Sequence, residues 1–271
     1  MYIGRHWFDL DNNSYLMGIL NITPDSFSDG GAYTTIDEAL KRAEKMVEEG
    51  AAIIDIGGES TRPGHEKIRD QEELERVIPV IEKVKKEIDV AVSLDTYKYE
   101  VAREGILAGA DMINDIWGLK WDQRLAGLVA KEKVACCLMH NRDLPCSEDF
   151  EKQFIQDMEV SLDLAAKAGI ARDKIILDPG VGFGKTYRQN LWILNHLEMM
   201  KRWNLPILLG TSRKSVIGIT LGTPVSERVE GTIATTVLGR QKGASIFRVH
   251  DVMANGRALK MTDAILTSER N

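Results

Sequence analysis

Cysteine is scarce in this chain, with three among 271 residues: Cys136, Cys137 and Cys146. An odd count in a chain with no export signal argues against a disulfide framework and reads as free thiols. Cys136 and Cys137 lie in the apolar run KVACCLM and read as small core residues of a strand. There is no uninterrupted apolar run of about 18 residues, so no membrane-spanning helix is expected. The opening segment MYIGRHWFDLDNN lacks the apolar centre of a secretion signal, which makes the cytoplasm the expected compartment. Basic charge is not in excess: 35 Lys and Arg face 41 Asp and Glu, a formal charge of −6. That balance speaks against a nucleic-acid partner and leaves room for a locally basic pocket around a small anion. The five histidines have no close ligand spacing such as H-x-x-x-H, so no zinc site is expected. No linker, low-complexity tract or compositional shift marks a second domain, so one domain over residues 1–271 is expected.

What the chain does have is a repeated unit. Apolar runs rich in Ile, Val and Leu occur at 16–20, 52–56, 90–94, 111–113, 134–139, 174–177, 206–209 and 245–249. Segments of helical period separate them, at 71–87, 98–108, 122–132, 150–168, 189–202, 226–242 and 251–267. The first helix follows Thr35, which with Glu38 fits a capping box. Ile36, Leu40, Ala43, Met46 and Val47 share one of its faces, and Gly50 stops it. The strands are continuous apolar runs, as in a parallel sheet covered by helices. Eight strand–helix units in about 250 residues predict an α/β protein, a single (β/α)8 TIM barrel, with a doubly wound open sheet as the alternative. The first 15 or so residues are expected to form a short hairpin over the lower end of the barrel.

Barrel enzymes build their sites at the carboxyl ends of the strands. Here those ends are polar: Asn21, then DIGGESTRPG, SLDT, IND, ILDPGVGFGKT, LLGTSRKS and FRVHD. Asp55, Asp95, Asp115 and Asp178 are carboxylates inside or at the rim of an apolar barrel, where each needs an N–H partner. A ligand with an amino-pyrimidine edge supplies such donors; the bland alternative is that an Asp bonds the backbone of its own loop. Arg62, Arg213, Lys214, Arg248 and His250 lie just past strand ends and together suit an anionic, phosphorylated ligand. Gly30–Gly31 and Gly57–Gly58 let backbone N–H groups approach an anion. GVGFGKT at 180–186 resembles a phosphate loop but fails its spacing: Pro179 stands where a Walker glycine is required, and Lys185 where a third Rossmann glycine is required. It reads as a loop ending at a helix start, with Phe183 able to stack on a flat ligand.

In order along residues 17–252, NITPDSFSDGG, IDIGGESTRPG, SLDT, INDI, ILDPGVGFGKT, GTSRKS and RVHDV resemble the successive signatures of the dihydropteroate synthase family. The resemblance implies a transferase of folate biosynthesis. It joins 6-hydroxymethyl-7,8-dihydropterin diphosphate to p-aminobenzoate, makes 7,8-dihydropteroate and releases diphosphate. It further implies that Asp95, Asn114, Asp178 and Lys214 hold the pterin, and that Asn21 coordinates Mg2+. Arg248 and His250, with Thr61 and Arg62, would face the departing diphosphate. Phe27, Pro63, Phe183 and Ser212 would neighbour p-aminobenzoate. A homodimer is implied, with Val229, Ile233 and Val237 available for its interface, and the loop over 22–33 is expected to close over the substrates. The chain departs from the family at NRDLPC after His140, which receives no role, and at GHEKIRD after Pro63. A pterin-binding methyltransferase or a non-catalytic pterin-binding paralogue remains the alternative; the former should lack SRKS and PDSFSDGG, the latter Asn21, Arg248 or His250.

Overall fold

The structure, a computed structural model, describes residues 1–22, 32–60, 67–146 and 149–268. Eight strands run parallel: β3 (Tyr15–Asn21), β4 (Ala51–Gly57), β5 (Ala91–Asp95), β6 (Met112–Asp115), β7 (Ala135–Met139), β8 (Ile175–Asp178), β9 (Leu208–Leu209) and β10 (Ile246–Val249). They pair in the order β8-β7-β6-β5-β4-β3-β10-β9. A parallel bridge between Leu177 and Ile207, with Leu177 N–H donating to Pro206 O at 2.9 Å, joins β8 to β9. The sheet therefore closes on itself, and the open-sheet alternative falls.

Side chains alternate along each strand, and here both faces are buried. One set points outward to the helices, among them Leu16, Leu20, Ile54, Ile56, Val92, Leu94, Ile113, Leu138, Leu177 and Phe247. The other set fills the lower barrel: Met17, Ile53, Ala91, Met112, Ala135, Cys137, Ile176, Leu208 and Ile246. Both Cys136 and Cys137 are buried, one in each set, and all three cysteines are free. A hairpin of β1 (Tyr2–Ile3) and β2 (His6–Trp7) lies at the amino-terminal end of the strands. From it and the segment after it, Ile3, Phe8 and Leu10 pack into the lower core.

The helices are α1 (Ala32–Glu48), α2 (Asp70–Glu87), α3 (Tyr99–Leu107), α4 (Arg124–Glu132), α5 (Phe150–Ala168), α6 (Tyr187–Asn195), α7 (Ser215–Leu221), α8 (Val229–Gln241) and α9 (Val252–Thr267). Three readings of the sequence need correction. The first helix begins at Ala32, so Thr35 lies in its first turn and is not its cap. The segment expected as one helix over 189–202 is α6 followed by a 3-10 stretch, Leu197–Trp203. A capping box does exist, at Thr186 with Gln189 at the start of α6. Helix α7 has no counterpart in the hydrophobic pattern, because it is short and follows the polar loop SRKS. No helix among the described residues is long and apolar enough to cross a membrane.

Candidate active site

Strand register decides which polar residues meet. Asn21 pairs with Gly57, Gly57 with Asp95, and Asp95 with Asn114. These four positions form one inward-facing layer at the carboxyl end of the barrel. One layer below, about 6–7 Å down the strands, Asp55 pairs with Ser93 and Ser93 with Met112. Asp178 ends β8 opposite Met139. Gly210 lies between Asp178 and Arg248: a Cβ there would stand 3.7 Å from Asp178 Oδ2 and 3.8 Å from Arg248 Cβ. Residues from six strand ends thus face a single mouth.

Arg248 ties the mouth together. Its Nε donates to Asp55 Oδ2 and its Nη2 to Asp95 Oδ2, each at 2.6 Å. Asp55 Oδ2 also accepts from Asn114 Nδ2 at 3.3 Å. Burial opposes the charge of Arg248, but Asp55 and Asp95 outweigh it, and the guanidinium titrates above its ordinary range. Burial pushes the Asp95 carboxyl up to about 7; Arg248 pulls it back and the neighbouring Asp55 adds to the rise. The sequence left the partner of Asp55 open. Among the described residues, its Oδ2 is met by Arg248 and Asn114, and its Oδ1 is buried without a partner.

Asp178 and Lys214 form the opposite wall. Asp178 Oδ1 accepts from Gly180 N–H at 2.7 Å, and burial raises its carboxyl with Lys214 pulling the other way. Lys214 Nζ donates to Val181 O and sits 4.6 Å above the Phe183 ring. Burial lowers the Lys214 ammonium to about 8, resisted chiefly by Asp178. Tyr97, Ile116 and Met139, backed by Trp117 and Phe183, add an apolar wall. Phe183 was singled out in the sequence, whereas nothing there distinguished Tyr97, Ile116, Met139 and Trp117 from core; only their position beside the polar layer does.

The loop bearing Phe183 is not a phosphate cradle. Gly180 and Gly184 have φ of +66° and +52°, and a Cβ at either would overlap a carbonyl oxygen, of His140 or Arg142 respectively. Beneath the loop Lys185 Nζ donates to Gly180 O at 2.8 Å and Phe183 O at 3.0 Å, and contacts His140 Nδ1 at 2.7 Å. Burial drives Lys185 well below the ordinary lysine range. His140 Nε2 lies 3.1 Å from Asp157 Oδ2, which also accepts from Arg142 Nε at 2.6 Å. The atypical segment after His140 is thereby bonded to α5. Sequence reasoning missed Lys185 and His140, since a lysine in a glycine-rich loop carries no sign of being buried.

Two further residues depart from the expected pattern. Arg213 is paired with an acid, its Nε and Nη2 bonding Asp251 Oδ2 and Oδ1 at 3.0 and 2.5 Å. Asp115 serves its own loop, accepting from Trp117 N–H at 2.8 Å and Leu119 N–H at 2.6 Å. Ser212 Oγ lies 2.9 Å from His250 Nδ1 and accepts from the His250 backbone N–H at 3.1 Å, so Ser212 and His250 adjoin. The stem of the second loop is held by Glu59, whose Oε2 accepts from Lys98 Nζ at 2.6 Å and Ile68 N–H at 3.2 Å. Phe27, Thr61, Arg62, Pro63, Gly30–Gly31 and nearly all of the loop over 22–33 lie outside the described residues. Among the described residues, no group of three or more His, Cys, Asp or Glu could hold a metal ion unaided.

Known proteins resemble this chain in sequence and fold. The profile of the family described as pterin binding enzyme matches residues 17–250. A protein of Clostridium beijerinckii named dihydropteroate synthase is 53% identical over 267 residues, covering 98% of this chain and 99% of the relative. A crystal structure of dihydropteroate synthase from Clostridium difficile, in the presence of pteroic acid, superposes with a TM-score of 0.93 at 51% identity, covering 96% of this chain and 99% of that one. The Xanthomonas albilineans dihydropteroate synthase with 4-aminobenzoic acid gives 0.90 at 41% identity, over 95% and 94% of the two chains. This chain therefore belongs to the pterin-binding enzyme family, among its dihydropteroate synthases.

Proposed function

We propose that this chain is a single pterin-binding barrel domain that condenses 6-hydroxymethyl-7,8-dihydropterin diphosphate with p-aminobenzoate to give 7,8-dihydropteroate and diphosphate. The observation that carries the reading is the convergence of Asp95, Asn114, Asp178 and Lys214 at one mouth, beside the apolar wall. Three acceptors in a dry pocket match the N–H groups of an amino-pyrimidine edge, and Lys214 matches the ring carbonyl. Pteroic acid in the Clostridium difficile relative and 4-aminobenzoic acid in the Xanthomonas albilineans relative support both halves of the product.

The reaction is substitution at the pterin methylene carbon. The electron-rich ring stabilises positive charge there, so the C–O bond breaks largely before the aniline nitrogen attacks, an SN1-like path. The departing electron pair stays on the diphosphate oxygen, and the aniline nitrogen gives up its proton after bonding to carbon. The work of the protein is to hold the leaving charge and exclude water. Arg248 Nη1 bonds no described residue, because Nε and Nη2 are taken by Asp55 and Asp95. It is therefore the part of the guanidinium available to the diphosphate, with His250, Thr61 and Arg62 as its companions. Phe183, Ser212, Pro63 and Phe27 surround the aniline.

Asn21 fits a Mg2+ ion that keeps most of its waters and takes substrate phosphate oxygens, since one amide oxygen is a hard ligand and Gly57 beside it has no side chain. When bound there, the ion adds positive charge for the diphosphate. We assign the enzyme to the cytoplasm, in keeping with three free cysteines. We assign it a homodimeric state on the apolar side chains around α7 and α8: Ile219, Leu221 and Leu238 are 62%, 49% and 37% exposed. Val229, Ile233 and Val237 lie half-buried along α8. Light scattering that returned the mass of one chain would remove the dimer.

A diphosphate-release assay with both substrates and Mg2+ tests the reaction, and release should require p-aminobenzoate. Titration of the pterin diphosphate into Asp95→Asn and Asp178→Asn should show affinity at least about tenfold weaker in each, the loss of a charge-assisted hydrogen bond. Wild-type affinity in both would overturn the pterin assignment.

A further inference from the structure

Asp55 lies within the signature IDIGGESTRPG but received no role from the resemblance, and it is fully buried at the centre of the polar cluster. It belongs to the layer beneath Asp95 and Asn114, since it pairs with Ser93 and lies two residues before Gly57. Its Oδ2 receives the Arg248 Nε–H at 2.6 Å. A guanidinium has only N–H groups to offer, so Oδ2 acts there as an acceptor. The Asn114 atom that shares Oδ2 at 3.3 Å must then be the amide nitrogen. A side-chain amide bonded downward through nitrogen turns its oxygen up, toward the mouth.

We infer that Asp55 is a positioning residue, which locks the Asn114 amide with its oxygen facing the substrate and so commits the site to a heterocycle edged with N–H donors. The inference rests on the pterin reading of the site and deepens it. Without Asp55, Asn114 could present either a donor or an acceptor by rotating half a turn, and its selectivity would vanish. Asp95 and Asp178 contribute acceptors on either side, but only Asn114 has a polarity that another residue must choose. Asp55 carries a second consequence of the same geometry: it holds Arg248 by Nε, which leaves Nη1 directed away from the acid layer.

The test uses two probes on the full-length protein, 6-hydroxymethylpterin and its 2-oxo counterpart, in which the exocyclic amino donor is replaced by an acceptor. Dissociation constants for both are measured by calorimetry in wild type, Asp55→Asn and Asp55→Ser. The wild type should favour the amino compound strongly. In Asp55→Ser that preference should fall by about tenfold, because a serine with water accepts either orientation of Asn114, whereas in Asp55→Asn the Arg248 Nε–H keeps an oxygen at the shared position and the preference should hold. A merely structural role for Asp55 would weaken both probes alike and leave their ratio unmoved in Asp55→Ser, which would overturn the inference. If Asp55→Ser does not fold, Asn114→Ser decides: an unchanged ratio there removes Asn114 as the discriminating acceptor and the inference with it. Failure of the wild type to bind the pterin at all would bring down the functional reading first, so the two failures are distinguishable.

Discussion

Asp95 and Lys214 titrate close to neutrality for one reason: each is buried, and each has an opposite charge near enough to offset only part of that cost. The groups that face Asp95 are Arg248, Asp55, Glu73 and Lys214. As a hydrogen-bond acceptor for a pterin N–H, Asp95 must be ionised, so affinity for an unphosphorylated pterin should rise as pH climbs through about 7. Above about 8, Lys214 loses its proton and affinity should fall again. Calorimetric titration across that range checks both limbs, and a flat profile would contradict the assignment. The same shift has a sign for stability. The folded Asp95 keeps a proton that the unfolded chain releases near 3.8, so stability falls as pH rises from there to about 7 and gains nothing beyond. Asp95→Asn should remove that slope together with the pterin affinity, a trade of stability for function common at buried charges.

At the scale of elements, the loop from β8 to α6 depends on Lys185. Its Nζ donates to the Gly180 carbonyl, which also accepts from Phe183 N–H at 3.1 Å, and to the Phe183 carbonyl, and among the described residues it is the only group bonded to His140 Nδ1. Lys185→Met would leave these acceptors buried, at about 1–3 kcal/mol for each that stays unmet. We expect the melting temperature to drop by several degrees, with pterin affinity weaker by about tenfold, because Val181 and Phe183 support Lys214 from this loop. Calorimetry reads both quantities, and an unchanged dissociation constant would separate the loop from the site. Element existence was legible in the pattern, since β4, β7 and α5 lie within a residue or so of where apolar runs and helical period place them. Element ends were less so. Thr35 and Glu38 have the residue types of a cap, yet helix α1 starts upstream at Ala32. Short α7 offers too few turns for a period to register.

For the whole molecule, the two ends of the barrel do different work. Phe8, 3% exposed, packs with Ile3 and Leu10 into the lower core, on the side opposite the polar layer. Phe8→Ala should cost about 3–5 kcal/mol in unfolding free energy, the usual range for a buried aromatic. Pterin affinity of the folded variant should stay at the wild-type value, because barrel function sits at the carboxyl ends. Urea unfolding and a binding titration together check the separation, and a coupled loss of affinity would show that the lower core shapes the mouth. The sequence by itself determined the strand–helix repeat and the strand ends that carry Asn21, Asp95, Asn114, Asp178, Lys214, Arg248 and His250, since these follow from local period and residue type, and it favoured a barrel over an open sheet without deciding between them. Only the tertiary structure decided which of these polar groups answer one another. Ring closure through β8 and β9 and the register of neighbouring strands set Arg248 against Asp55 and Asp95, sent Arg213 to Asp251 and Asp115 to its own loop, and buried Lys185. Those pairings join residues up to 193 positions apart, a separation over which no local pattern carries information.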